Sequence, residues 1–264
     1  MPDDREAILR EIAKKKVVYT LPGMDAVTVR SGTYSTGHED LAMDIYYPLD
    51  AAGPAPVVVF AVAYPDPPGR IRQYGPVTSW ARLMAASGMA AAIYATNDCV
   101  ENIHAVVRHL RTNAATLGID STRIGVFAES ANVSVALSAL MRDASIKCAA
   151  LLTGFTMDLD GSTTVAAAAK QYTFVDACAG RSVDDLPDTV PMFFLRAGRD
   201  QFPGLNDALD RVIAKALARN LPVTLVNHAT GTHGFEFDQD NDLSREMIRQ
   251  VLAFLGRHLA GESR

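Results

Sequence analysis

The chain has 264 residues, of which 48% are hydrophobic and 21% charged, with a formal charge of −5. One large α/β domain commonly reaches this length, and the apolar share suffices for a sizeable core. No apolar run approaches the roughly 18 residues of a membrane span, and the opening MPDDREAILREIAKKK has no basic segment followed by an apolar one. No membrane partner and a cytoplasmic location are therefore expected. Lys and Arg are interspersed with acids, which argues against a phosphate-tracking surface and so against nucleic acid. Cys99, Cys148 and Cys178 are odd in number, far apart and without CxxC spacing. They are expected as reduced, mostly buried thiols.

In chain order, apolar spacing predicts an amphipathic entry helix over 3–16 with Ile8, Leu9 and Ile12 on one face. Alternating stretches over 26–34 and 41–48, separated by the turn-rich STGHED, then form a hairpin signal. From Pro56, VVVFAVAY is a continuous apolar run, as expected of a strand buried on both faces of a parallel sheet. A Pro/Gly loop, PDPPGRIRQYGP, follows. Next come a helix near 78–87, a strand over 90–95 and a helix with Ile103, Val106, Val107 and Leu110 on one stripe. RIGVFA (123–128) reads as a strand, ANVSVALSALM as a helix, and 148–154 and 192–198 as strands. A helix carrying Leu209, Val212, Ile213, Ala216 and Leu217 precedes the strand VTLVNH, and a helix with Met247, Ile248, Val251, Leu252 and Leu255 closes the chain. Such alternation predicts a three-layer α/β architecture: a mostly parallel sheet covered by helices, with the hairpin as its antiparallel edge. Residues 155–191 break the rhythm and are expected as a small cap or lid above the sheet. With no repeat and no dividing linker, residues 1–264 are read as a single domain.

The most informative segment is RIGVFAESANVSVAL, in which a strand ends at Ala128-Glu129-Ser130-Ala131-Asn132 and a helix starts at once. A nucleophile elbow requires this context, with small residues two before and two after the serine, where strand and helix approach closely. Ala128 meets that demand and Asn132 meets it partly. Taken alone, Ser130 could equally be a helix cap. A serine nucleophile also needs an imidazole base and a carboxylate to orient it. MFFLRAGRDQFPG puts Asp200 in a turn after a buried strand, and VTLVNHATGTHGFEF puts His233 in a Gly-flanked loop after the next. All three then fall at carboxyl ends of parallel strands, where open α/β sheets place their sites. Each alone reads blandly; the joint occurrence in this order carries the triad.

From Leu41 to Leu259 the chain resembles the α/β-hydrolase superfamily, within its carboxylesterase and dienelactone-hydrolase-like group, through VFAESAN, RAGRDQ and GTHGF. The resemblance implies Ser130 as nucleophile, His233 as general base and acid, and Asp200 as orienting carboxylate. Many dienelactone hydrolases carry a cysteine nucleophile, so the serine favours an ordinary esterase. Where related esterases often have His-Gly-Gly, this chain has Val62-Ala63-Tyr64-Pro65. Expected oxyanion donors are the N–H of Ala131, that of Ala63 or Tyr64, and the Tyr64 hydroxyl.

Tyr74, Phe155, Phe202 and Phe235 are expected pocket walls, since each flanks a catalytic element. His104 and His109 read as surface residues, His38-Glu39-Asp40 as a solvated turn and His228 as structural. Cys99 falls near the pocket mouth without a paired base, and Glu129 is expected to bond nearby backbone or Asn132. No GxGxxG, Walker A or HExxH pattern occurs, so neither cofactor nor metal is expected. The expected partner is a small-molecule ester, and a homodimer is compatible with the sequence. The leading expectation is hydrolysis of small carboxylic esters through an acyl-enzyme. Lactone opening or acyl transfer by the same triad, and a non-catalytic small-molecule binding protein on this fold, are the alternatives. A cap confined to 155–191 favours compact esters over long-chain lipids.

Overall fold

The computed structural model describes residues 10–49, 51 and 53–261. Its strands are β1 (Thr28–Ser35), β2 (Asp40–Tyr47), β3 (Ala55–Phe60), β4 (Ala90–Tyr94), β5 (Ile119–Glu129), β6 (Cys148–Leu152), β7 (Met192–Ala197) and β8 (Val223–His228). Among the described residues they form one sheet in the order β1-β2-β4-β3-β5-β6-β7-β8. β1 pairs with β2, and β2 with β4, antiparallel; every pairing from β4 to β8 is parallel. The leading hairpin thus forms the antiparallel edge. The helices are α1 (Gly75–Ala86), α2 (Cys99–Thr112), α3 (Ala114–Leu117), α4 (Val133–Arg142), α5 (Thr164–Tyr172), α6 (Leu205–Ala218), α7 (Phe235–Asp238) and α8 (Asp242–Leu259).

Successive side chains of a strand point to opposite faces, so the uniformly apolar central strands feed two cores at once. Val57, Val59, Val126, Leu151 and Phe194 pack with Ile103 and Val106 of α2, Leu137 of α4 and Val212 of α6. Val58, Phe127, Ala150 and Phe193 face the other way, onto Trp80 and Leu83 of α1 and Ile248, Val251 and Leu255 of α8. α2 begins on a side-chain cap, the Asp98 carboxylate accepting the N–H groups of Val100 and Glu101 at 3.0 Å each. The edge strands expose most of their residues, and only Tyr34 of β1 and His228 of β8 are buried.

Three expectations change, and the expected burial of Cys99 is met. β3 stops at Phe60, and Ala61, Val62 and Ala63 continue as a buried loop. Uniform burial looks the same in sequence whether or not a strand partner is present. Of the expected entry helix, Ile8 and Leu9 lie outside the described residues; 10–14 is helical, and Ile12 is 38% exposed instead of packed inward. His104 and His109 are half-buried, and desolvation pushes both below the usual histidine range. Cys99 opens α2 as a buried side chain. Residues 155–191 hold α5 and a 3-10 turn at Val183–Asp185, between β6 and β7.

Candidate active site

β5, β7 and β8 are parallel strands of the same sheet, with β6 between β5 and β7, and the segments that follow them carry Ser130, Asp200 and His233. Ser130 sits at φ 57°, a left-handed conformation unusual outside glycine, and leads through a 3-10 turn into α4. The tight turn needs small neighbours. A Cβ on Gly154, just after β6, would lie 2.1 Å from Val133 Cγ2 and 3.0 Å from the Ser130 carbonyl oxygen. The Phe155 N–H donates to that same carbonyl at 3.2 Å. The acid turn and the histidine loop interlock through backbone. Gly198 N–H donates to the His228 carbonyl and Arg199 N–H to that of Gly231, at 2.8 Å each. A Cβ on Gly198 would meet the Ala229 oxygen at 2.6 Å.

The three side chains form one line. His233 Nδ1 lies 2.7 Å from Asp200 Oδ2, and its Nε2 lies 2.9 Å from Ser130 Oγ. The Asp200 side chain is 0% exposed, and its Oδ1 accepts the Phe202 N–H at 2.9 Å. Because a carboxylate only accepts, the shared proton belongs on Nδ1, which leaves Nε2 to accept from the serine hydroxyl. The Gln201 Oε1 accepts the His233 N–H at 3.1 Å and holds the loop.

Of the expected oxyanion donors, Ala131 is buried in the first turn after Ser130, where N–H groups lack intrahelical partners. Ala63 is corrected: its N–H donates to the Asn132 Oδ1 at 2.8 Å, and its carbonyl accepts from Val175 at 2.8 Å. Both of its backbone groups are therefore engaged. Tyr64, the next residue, is half-buried with its ring 6.4 Å from that of Phe174.

Among the expected wall residues, Phe202 meets the His233 ring edge-on at 4.5 Å, and Phe155 lies 6.2 Å from Phe202. Tyr172 and Phe174, absent from the sequence reading, extend this group, at 5.2 Å from Phe202 and 5.3 Å from Phe155. Phe235 is not brought there. It is fully buried in the α1/α8 core, its ring tilted against that of His228 at 4.5 Å. Tyr74 caps α1, outside this aromatic group. Glu129 also departs from expectation. It hydrogen-bonds with Glu236 of α7, and burial raises it well above the usual carboxylate range, reinforced by the second carboxyl. Among the described residues no three His, Cys, Asp or Glu side chains converge to hold a metal ion, and no helix is long and apolar enough to cross a membrane.

No protein-family model matches the chain, and neither does any curated protein sequence. Solved structures do. A thermostable esterase from Pseudomonas putida ECU1011 superimposes with a TM-score of 0.73 at 17% identity, over 99% of this chain and 91% of that one. Bacterial heroin esterase gives 0.71 at 16%, over 92% and 88%. A thermophilic carboxylesterase cloned from a metagenomic library gives 0.70 at 16%, over 98% and 95%. With the strand order and layers described above, the chain has the α/β-hydrolase fold.

Proposed function

We propose that the protein is a serine esterase that cleaves small carboxylic esters through an acyl-enzyme. The observation that carries this reading is the hydrogen-bonded line Asp200–His233–Ser130, at 2.7 and 2.9 Å, on a left-handed serine. The named esterases of like fold favour the same chemistry. Ser130 Oγ attacks the ester carbonyl while His233 Nε2 takes its proton, and the imidazolium is steadied by Asp200. The proton then passes to the leaving alcohol as the tetrahedral centre collapses. Water, activated by the same imidazole, releases the acid and restores the serine.

Charge on the tetrahedral oxygen is met by the N–H of Ala131 and by Tyr64, through its N–H or its hydroxyl; Ala63 is left out because Asn132 holds it. Residues 155–191 act as a small cap. They bring Tyr172 and Phe174 to Phe155, Phe202 and Tyr64, so aromatic rings restrict the acyl side to compact groups. Nothing in the site favours lactones or acyl acceptors over simple esters.

Labelling with a fluorophosphonate probe and turnover of p-nitrophenyl acetate test the reading. Wild type is expected to be labelled and active, and Ser130→Ala to lose labelling and at least about 10³-fold in kcat. An unlabelled, inactive wild type, or an active Ser130→Ala, would sink it and leave a binding protein.

A further inference from the structure

The mechanism leaves two acidic side chains unused beside the triad. Glu129 is the last residue of β5 and directly precedes Ser130; Glu236 follows His233 by three and lies in α7. Glu236 is 1% exposed. The Oε2 atoms of both are shielded from solvent, and among the described residues neither receives an N–H or O–H from any third residue. The two side chains bond each other, and the Glu236 carboxyl also accepts the N–H of its own residue. Two carboxyl groups bond in this way only when at least one carries a proton, since two carboxylates offer acceptors alone and repel at contact.

We propose that Glu129 and Glu236 act as one proton-sharing carboxyl pair that straps the Ser130 turn to the His233 loop and so positions the serine–imidazole hydrogen bond. The inference rests on the esterase reading for its consequence, though not for the pair itself. The strap is placed to matter: its ends are one residue from the nucleophile and three from the base. The Glu236 carbonyl accepts the Val18 N–H at 2.8 Å, which fixes the α7 end against the rest of the chain. The charges around the pair are few. His233 is the neighbouring imidazole, Asp238 of α7 is itself paired to Lys15 at 2.5 Å, and His228 of β8 lies tilted against Phe235. No Lys or Arg bonds either carboxyl among the described residues, so the shared proton is the device that keeps the two together. Burial raises both groups, and the sign follows: the strap is held while the pair keeps its shared proton and opens as rising pH removes it. Glu129 and Glu236 are thus positioning residues.

The test uses the full chain with Glu129→Gln, Glu236→Gln and Glu129→Ala, following kcat and KM for p-nitrophenyl acetate and the thermal midpoint from about pH 5 to about pH 10. A glutamine donates its amide N–H to the remaining carboxylate without needing the shared proton. Either Gln variant should keep kcat near neutral pH within about threefold and flatten the wild type's decline with rising pH in both kcat and midpoint. Glu129→Ala should lower kcat at least about tenfold with KM little changed. It should also shift the downfield proton resonance of the His233–Asp200 hydrogen bond, which Glu129→Gln restores. Gln variants with the wild-type pH profile, or an alanine variant with unchanged kcat and resonance, would overturn the pair. Should wild type prove inactive on esters, the esterase reading alone fails, and the resonance and melting profiles still decide the strap.

Discussion

Asn132 stands where a nucleophile elbow usually wants glycine, and the structure accounts for the exception by a bond and not by space. Its amide oxygen takes the Ala63 N–H at 2.8 Å, inside a loop whose Ala63 is 0% exposed. The longer side chain thus fixes the loop after β3 and engages the Ala63 N–H. Asn132→Ala should leave that buried N–H unsatisfied and lower stability by about 1–3 kcal/mol in denaturant titration. Asn132→Asp, which also accepts, should recover most of the loss. Asp200→Asn tests the tautomer: an amide that donates toward Nδ1 should turn the imidazole's lone pair away from Ser130 and cost on the order of 10³–10⁴ in kcat. Ser130, Asp200 and His233 were legible in sequence because each sits in a turn directly after a buried apolar strand. The Asn132–Ala63 bond was not, since it joins positions 69 residues apart through one rotamer. The Glu129–Glu236 bond was hidden for a similar reason: two acids give no sequence signal of attraction, and only burial with a shared proton makes them partners.

At the scale of elements, the turns carrying Ser130 and Asp200 are held by neighbours that leave no room. Gly154 closes β6 against the start of α4, where an added Cβ would meet Val133 at 2.1 Å and the Ser130 carbonyl at 3.0 Å. Gly154→Ala should therefore destabilise by about 1–3 kcal/mol and depress turnover with it, as the strained elbow shifts; calorimetry beside an ester assay checks both. Residues 155–191 contribute Tyr172 and Phe174 to the ring group. Phe174 is stacked 5.3 Å from Phe155 and edge-on to Tyr64. Its removal by Phe174→Ala should move the preference along a p-nitrophenyl acyl series toward longer chains. The strands of the sheet could be read from continuous apolar runs. Their lateral order could not, because β4 lies between β2 and β3 through long-range pairing that no local pattern encodes. The ring group was half visible: Phe155 and Phe202 flank strand ends, whereas Tyr172 and Phe174 reach them only through the path of the 155–191 excursion.

Across the whole molecule, burial of titratable groups on both faces of the sheet sets opposing slopes of stability with pH. His104, His109, His228 and His258 are each pushed below 6.5 by desolvation, His104 and His258 also by neighbouring arginine. The unfolded chain then takes up protons before the folded one does, so these groups cost stability as pH falls below 6.5. Asp120 and Glu101, lowered chiefly by hydrogen bonds from Thr122 and Arg142, add to the acid-side loss near and below their ordinary values of 3.8 and 4.5. The Glu129–Glu236 pair acts in the other direction. Raised in the fold, it binds a proton that the unfolded chain has already released above 4.5, so its contribution falls as pH rises. Below 6.5 the two trends oppose each other; above it the histidines are neutral in both states and the carboxyl pair acts without them. Stability by denaturant titration should therefore gain from the histidines as pH rises toward 6.5 and lose the pair's contribution as rising pH removes its proton. In Glu129→Gln the histidine rise should remain and the pair's decline with rising pH should flatten. A parallel flattening on the acid side would assign the slope to the fold at large instead of to these two carboxyls.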